Sequence, residues 1–106
     1  MANRIYLNTM ESTGAQKIGF SGNWERRRRQ YITHNPFITF EEYVITYGKT
    51  KHQLEVQCHA EIEAMGGTFI IKDGIKTEWF MLDKKISLAD LKCCKGRKIH
   101  KFKEVA

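Results

Sequence analysis

Three groups of residues have the types and spacing to do chemistry. Arg26, Arg27, Arg28 and Arg29 stand in a row just after a glycine-bearing run, and a guanidinium fork grips phosphate or carboxylate oxygens in pairs. A helix advances about 100° per residue, so four adjacent arginines cannot share one face. Arg27 and Arg28 border the apolar stripe of Trp24, Tyr31 and Ile32, while Arg26 and Arg29 point away. Two readings stay open: the bordering arginines lay their stems on the core edge and reach out to water, or they aim at an anionic ligand. His52, Glu55 and His59 form the second group, a polar stripe at i, i+3 and i+7 beside the core stripe of Leu54, Cys58, Ile62 and Met65. A carboxylate flanked by imidazoles can hold a divalent cation, and an ordinary solvated face has the same pattern. The third group, Cys93 and Cys94 with His100 nearby, lacks the ligand spacing of a tetrahedral zinc site.

The elements that must position these groups follow from local pattern. Residues 4–10 and 16–20 read as two short strands around the turn formers Ser12, Thr13 and Gly14, a β-hairpin closed by Gly19. Asn23 is placed to cap a helix over 24–33, which ends before Pro36 because proline pushes the preceding residue out of helical geometry. Residues 37–47 are aromatic and β-branched and predict a third strand, with a slip in alternation at Glu41 and Glu42 that suggests a bulge or an exposed edge. Thr50 and Gln53 form a capping box for a second helix reaching about residue 65, where Gly66 and Gly67 stop it. Asp73-Gly74 marks a further hairpin, and Ser87 with Asp90 caps a last short helix.

The fold class expected is α/β, a small central antiparallel or mixed sheet, made of the N-terminal hairpin plus the third strand, flanked by helices. A chain of 106 residues fits one domain, able to bury roughly 65% of its unfolded surface. The core is expected at about 4–82, with a basic C-terminal extension over 83–106. That tail is either a grip on nucleic-acid backbone or a solubilising end. Trp79 and Phe80 are expected to seal the core. A net charge of +6 favours a polyanionic partner. No apolar run spans a membrane and the amino end is unlike a signal peptide. Three cysteines in an odd count fit a reducing, cytoplasmic setting.

Taken in order, Arg4-Ile5-Tyr6, Lys17-Ile18-Gly19 and Arg27 on the following helix resemble the GIY-YIG nuclease superfamily. Adding Leu54-Glu55 with His59, then Glu78-Trp79-Phe80, the chain is similar to the compact GIY-YIG-like domains of phage and viral genomes over about residues 4–82. The resemblance implies a metal-dependent DNA endonuclease using Mg2+ or Mn2+, acting as monomer or homodimer without a membrane. It implies Tyr6 as general base, its pKa lowered by Lys17 and the phosphate-bound metal, Arg27 as phosphate clamp and Glu55 as metal ligand. Tyr31 and His59 would position these groups, and Arg26, Arg28 and Arg29 would track flanking phosphates. Arg4 stands where the first motif has glycine, and Lys17 replaces the tyrosine of the second, which leaves Tyr6 as the better base candidate. The competing reading is an inactive nucleic-acid-binding or regulatory module on the same fold.

Overall fold

The computed structural model describes residues 2–103. Its elements are β1 (Ala2–Thr9), β2 (Gln16–Ser21), α1 (Trp24–His34), β3 (Phe40–Tyr47), α2 (Lys51–Ala64), β4 (Thr68–Lys72), β5 (Ile75–Met81), two short 3-10 turns (Leu88–Asp90 and Lys92–Cys94) and β6 (His100–Lys103). The strands form one six-stranded sheet in the order β4-β5-β2-β1-β3-β6, with every neighbour antiparallel. The expected hairpin and third strand are therefore the middle of a larger sheet.

Alternation along β1 sorts the interior into two layers. Ile5 and Leu7 point to one face, where they meet Ile18, Val44, Phe80 and the α2 residues Leu54, Cys58 and Ile62. Tyr6 points to the other face and packs with Trp24 and Tyr31 of α1 and with Ile38. Each helix thus covers one side of the sheet. Trp79 divides from Phe80 in the same way: Phe80 is fully buried under α2, and Trp79 packs partly buried on the α1 side.

The local signals act as their chemistry requires. The Asn23 side chain accepts from the Arg26 backbone N–H at the start of α1, and Thr50 with Gln53 completes a reciprocal capping box on α2. Asp73 and Gly74 both take positive φ, 52° and 75°, the geometry of a two-residue hairpin whose turn twists with its strands.

Two expectations are corrected. Glu41 and Glu42 mark neither a bulge nor an exposed edge: β3 keeps unbroken register with β1 from Ala2 opposite Tyr47 to Thr9 opposite Phe40, and both glutamates are buried, at 1% and 2% exposure. They lie on opposite faces, each with its own partners, so the alternation looks broken only because a carboxylate here replaces an apolar side chain. The residues after 82 are likewise no appendage. Leu88, Leu91 and Cys94 are buried in the α2-side layer, and β6 pairs with β3. Only 104–106 of the expected extension lie outside the described residues.

Glu42 holds this closing segment in place. Its carboxylate accepts from Ser87 Oγ at 3.0 Å and from the Leu88 backbone N–H at 3.1 Å, while Ser87 caps the 3-10 turn through Asp90. Removing the carboxylate strands a buried N–H, at a cost of about 1–3 kcal/mol. Glu42→Ala is expected to lower the unfolding free energy by about 2–3 kcal/mol in urea titration, and a loss under about 0.5 kcal/mol would show that the anchor is dispensable.

Candidate active site

The site is built on the α1 face of the sheet. Tyr6 lies opposite Gly19 and Lys17 opposite Asn8 in the β1–β2 ladder, so the tyrosine, the glycine and the lysine share that face. Gly19 is there for space. A Cβ on it would stand 2.1 Å from Tyr6 Cζ and 2.2 Å from the hydroxyl oxygen, closer than any real contact, so the tyrosine ring lies across the bare backbone of β2. Pressed down in this way, Tyr6 sends its hydroxyl towards α1, where Arg27 Nε donates to it at 3.5 Å. Such a long bond is easily exchanged for one to a substrate oxygen.

Lys17, Arg27, Gln30, Tyr31 and His34 line a cleft of about 240 Å³ beside this pair. Glu78, half-buried on β5, stands next to the last β2–β5 pair, Lys17 opposite Trp79. Its charge acts on Tyr6, Lys17 and Arg27 alike. Burial raises the Glu78 pKa; Lys17 opposes that shift, Glu55 adds to it and Arg27 opposes it. Burial also lowers the Lys17 pKa, with Glu78 opposing and Arg27 assisting.

Without metal or phosphate the Tyr6 pKa is raised. The ring is 1% exposed, and burial pushes the hydroxyl above the usual tyrosine range; the Arg27 hydrogen bond only partly offsets this, and Glu78 adds to it.

Arg28 differs from its expected role as well. Its guanidinium holds the buried Glu41 carboxylate through Nε at 3.2 Å to both oxygens and Nη2 at 2.8 Å to one, and it lies 6.0 Å from the centre of the Trp24 ring. Tyr31 serves the same carboxylate, donating its hydroxyl at 2.6 Å, and stacks on Tyr6 with ring centres 5.2 Å apart. The Tyr31 pKa is raised by burial first and by the bond to Glu41 second. Arg26 and Arg29 are exposed and turned to solvent.

Glu55 and His59 come from α2, the helix on the opposite face. The charge of Glu55 acts on Glu78 and His59. His59 stacks on Phe69 at 4.4 Å and leans on Phe20 at 6.3 Å. Burial lowers its pKa, and its buried Nε2 has no hydrogen-bond partner. Among the described residues no group of three or more His, Cys, Asp or Glu side chains is arranged to hold a metal ion.

A family model, the T5orf172 domain, matches residues 3–97. The chain belongs to the T5orf172 domain family. No curated protein and no solved structure matches it. The matched span of this T5orf172 domain runs through the 3-10 turns, in keeping with their place in the core.

Glu41 and Glu78 are the two residues that sequence reasoning undervalued. The break in alternation at Glu41 was the available signal for a buried carboxylate. For Glu78 it was an acid inside an apolar strand, within the Glu78-Trp79-Phe80 segment. Because Arg28 neutralises a carboxylate that is 1% exposed, Arg28→Ala is expected to destabilise the fold by about 2–3 kcal/mol, somewhat less than for a fully buried pair. Arg26→Ala and Arg29→Ala should stay within about 0.5 kcal/mol. Chemical denaturation of the three variants checks this, and equal effects would remove the anchoring role.

Proposed function

We propose that this T5orf172 domain is a phosphodiester hydrolase acting on DNA. The observation that carries the reading is the pairing of Tyr6 with Arg27 beside a cleft that Lys17 and Arg27 line, with the charge of Glu78 acting on all three. Support also comes from the net charge of +6 and from membership of a domain family found in phage and nuclease-associated proteins. The arrangement fits the GIY-YIG type of site, with Arg27 in the place of the arginine clamp.

Hydrolysis requires a proton acceptor for water, neutralisation of charge on the phosphoryl oxygens, and help for the departing 3′ oxygen. Lys17 lines the cleft, whereas Tyr6 is covered, so Lys17 is the better placed of the two to take the proton, and burial lowers its pKa in that direction. Tyr6 holds Arg27 in register until a phosphate replaces its hydroxyl as acceptor. Arg27 then donates in a planar fork to two oxygens, which a lysine cannot imitate. Glu78 and Glu55 suit a divalent cation: two half-buried carboxylates whose charges oppose each other favour an ion that keeps most of its waters and takes its other ligands from substrate. Such an ion, Mg2+ or Mn2+, would polarise a phosphate oxygen and stabilise the leaving group. The burial of Tyr6 favours a second reading, a binding module that holds nucleic acid without cutting it.

The two readings separate in a plasmid-cleavage assay with Mg2+ and with EDTA. Arg27→Lys and Lys17→Met are each expected to reduce cleavage at least about 100-fold with little change in thermal midpoint, whereas Tyr6→Phe should cost less. Binding without cleavage by the wild-type protein would establish the module instead.

A readout independent of activity tests the carboxylates. Since the folded pKa of Glu78 is raised, its charged form weakens the fold above that pKa, and the penalty fades as pH falls through it towards the unfolded value of 4.5. Glu78→Gln is therefore expected to melt higher than the wild type at pH 7 without metal, with the gap closing near pH 4.5. Millimolar Mg2+ should raise the wild-type midpoint and leave Glu78→Gln unmoved; equal responses would remove Glu78 from the metal site.

A further inference from the structure

On the α2 side of the sheet, far from the arginine clamp in sequence, three thiols converge. Cys58 Sγ on α2 lies 2.8 Å from Cys93 Sγ, across 35 residues of chain, and Cys93 Sγ lies 3.7 Å from Cys94 Sγ. All three are free. We propose that Cys58 and Cys93 form an oxidisable dithiol, a modification site for hydroperoxides that closes as an intrachain disulfide between α2 and the turn Lys92–Cys94.

Geometry selects the pair and the order of events. A disulfide bond is about 2.05 Å long, so closure from 2.8 Å needs a movement under about 1 Å. Cys58 and Cys94 are 0% and 2% exposed, whereas Cys93 is partly exposed. An oxidant therefore reaches Cys93 first. Cys58 Sγ and Cys94 Sγ both lie within hydrogen-bonding reach of Cys93 Sγ, and sharing protons in this way lowers the Cys93 pKa and raises theirs. The more exposed Cys93, flanked by both other thiols, is therefore the sulfur that attacks first. A bond to Cys94 is disfavoured because adjacent residues would close a very small, strained ring.

The chemistry balances with hydrogen peroxide as the two-electron oxidant. The Cys93 thiolate attacks one peroxide oxygen, the O–O bond breaks, and the leaving hydroxide takes a proton to become water. The resulting Cys93 sulfenic acid is attacked by the Cys58 sulfur, which loses its proton; the S–O bond breaks, a second water departs, and the disulfide remains. The link would fasten α2, with Glu55 and His59, to the segment that leads into β6.

The test uses the full chain, reduced and freed of reductant, exposed to stoichiometric hydrogen peroxide under native conditions, then alkylated and mapped by mass spectrometry. The expected product has lost two hydrogens, joins Cys58 to Cys93 within one chain, reverts with dithiothreitol, and melts higher than the reduced form. Cys94→Ala should form it equally well, and Cys58→Ala should leave a Cys93 sulfenic acid that reacts with dimedone. Sulfinic or sulfonic products in the wild type, a link to Cys94 or to a second chain, or closure only after denaturation would overturn the proposal. The wild-type map decides even if a variant fails to fold, and it is independent of any cleavage result.

Discussion

A carboxylate taken out of water on β3 governs how α1 sits on the sheet. Glu41 is 1% exposed, so it needs compensation on the spot, and the partners it finds, Arg28 and Tyr31, are one helical turn apart on α1. Together with the burial of Trp24, this fixes the rotation of the helix about its axis. Arg27, the residue before the anchor, then projects towards β1, where the Tyr6 hydroxyl accepts from its exposed guanidinium at 3.5 Å. The run of arginines is thus divided by function, one binding inward to the fold, one aimed along the sheet surface and two left in water.

The second constraint is steric. Tyr6 can lie flat only because β2 carries no side chain at Gly19, and its outer ring face is covered by Tyr31. Tyr6, which receives Arg27, is therefore held from below by a missing Cβ and from behind by a stacked aromatic. Side chains locked in this way can act without reorganising at the moment of reaction. The α2 face is built differently, from aliphatic and aromatic packing that includes the buried thiols of Cys58 and Cys94, with Cys93 packed against it.

Much of this was legible in the chain because the signals were local. The Thr50 and Gln53 box, the Asp73-Gly74 turn and the Asn23 cap each depend on neighbours within a few residues. The pairing of Tyr6, Gly19 and Arg27 was also reachable, since hairpin register and helix spacing connect them. What was not legible depends on distant partners. Nothing near Glu42 announces that it will hold Ser87 and Leu88, 45 and 46 residues away, and nothing in the lysine-rich end predicts that β6 will complete the sheet beside β3. The burial that raises the Tyr6 pKa was likewise out of reach, because desolvation belongs to the assembled layer and not to the residue's neighbours in sequence.

The strand order also has a kinetic meaning. β1 is paired on both edges along its length, whereas β4 and β6 have a free side each, and β2 meets β5 over only two residue pairs. Opening of the sheet under native conditions should proceed inward from its margins, so the backbone beneath the tyrosine would be the last part of the molecule to exchange its amide protons, and the rim would loosen many times before the centre did.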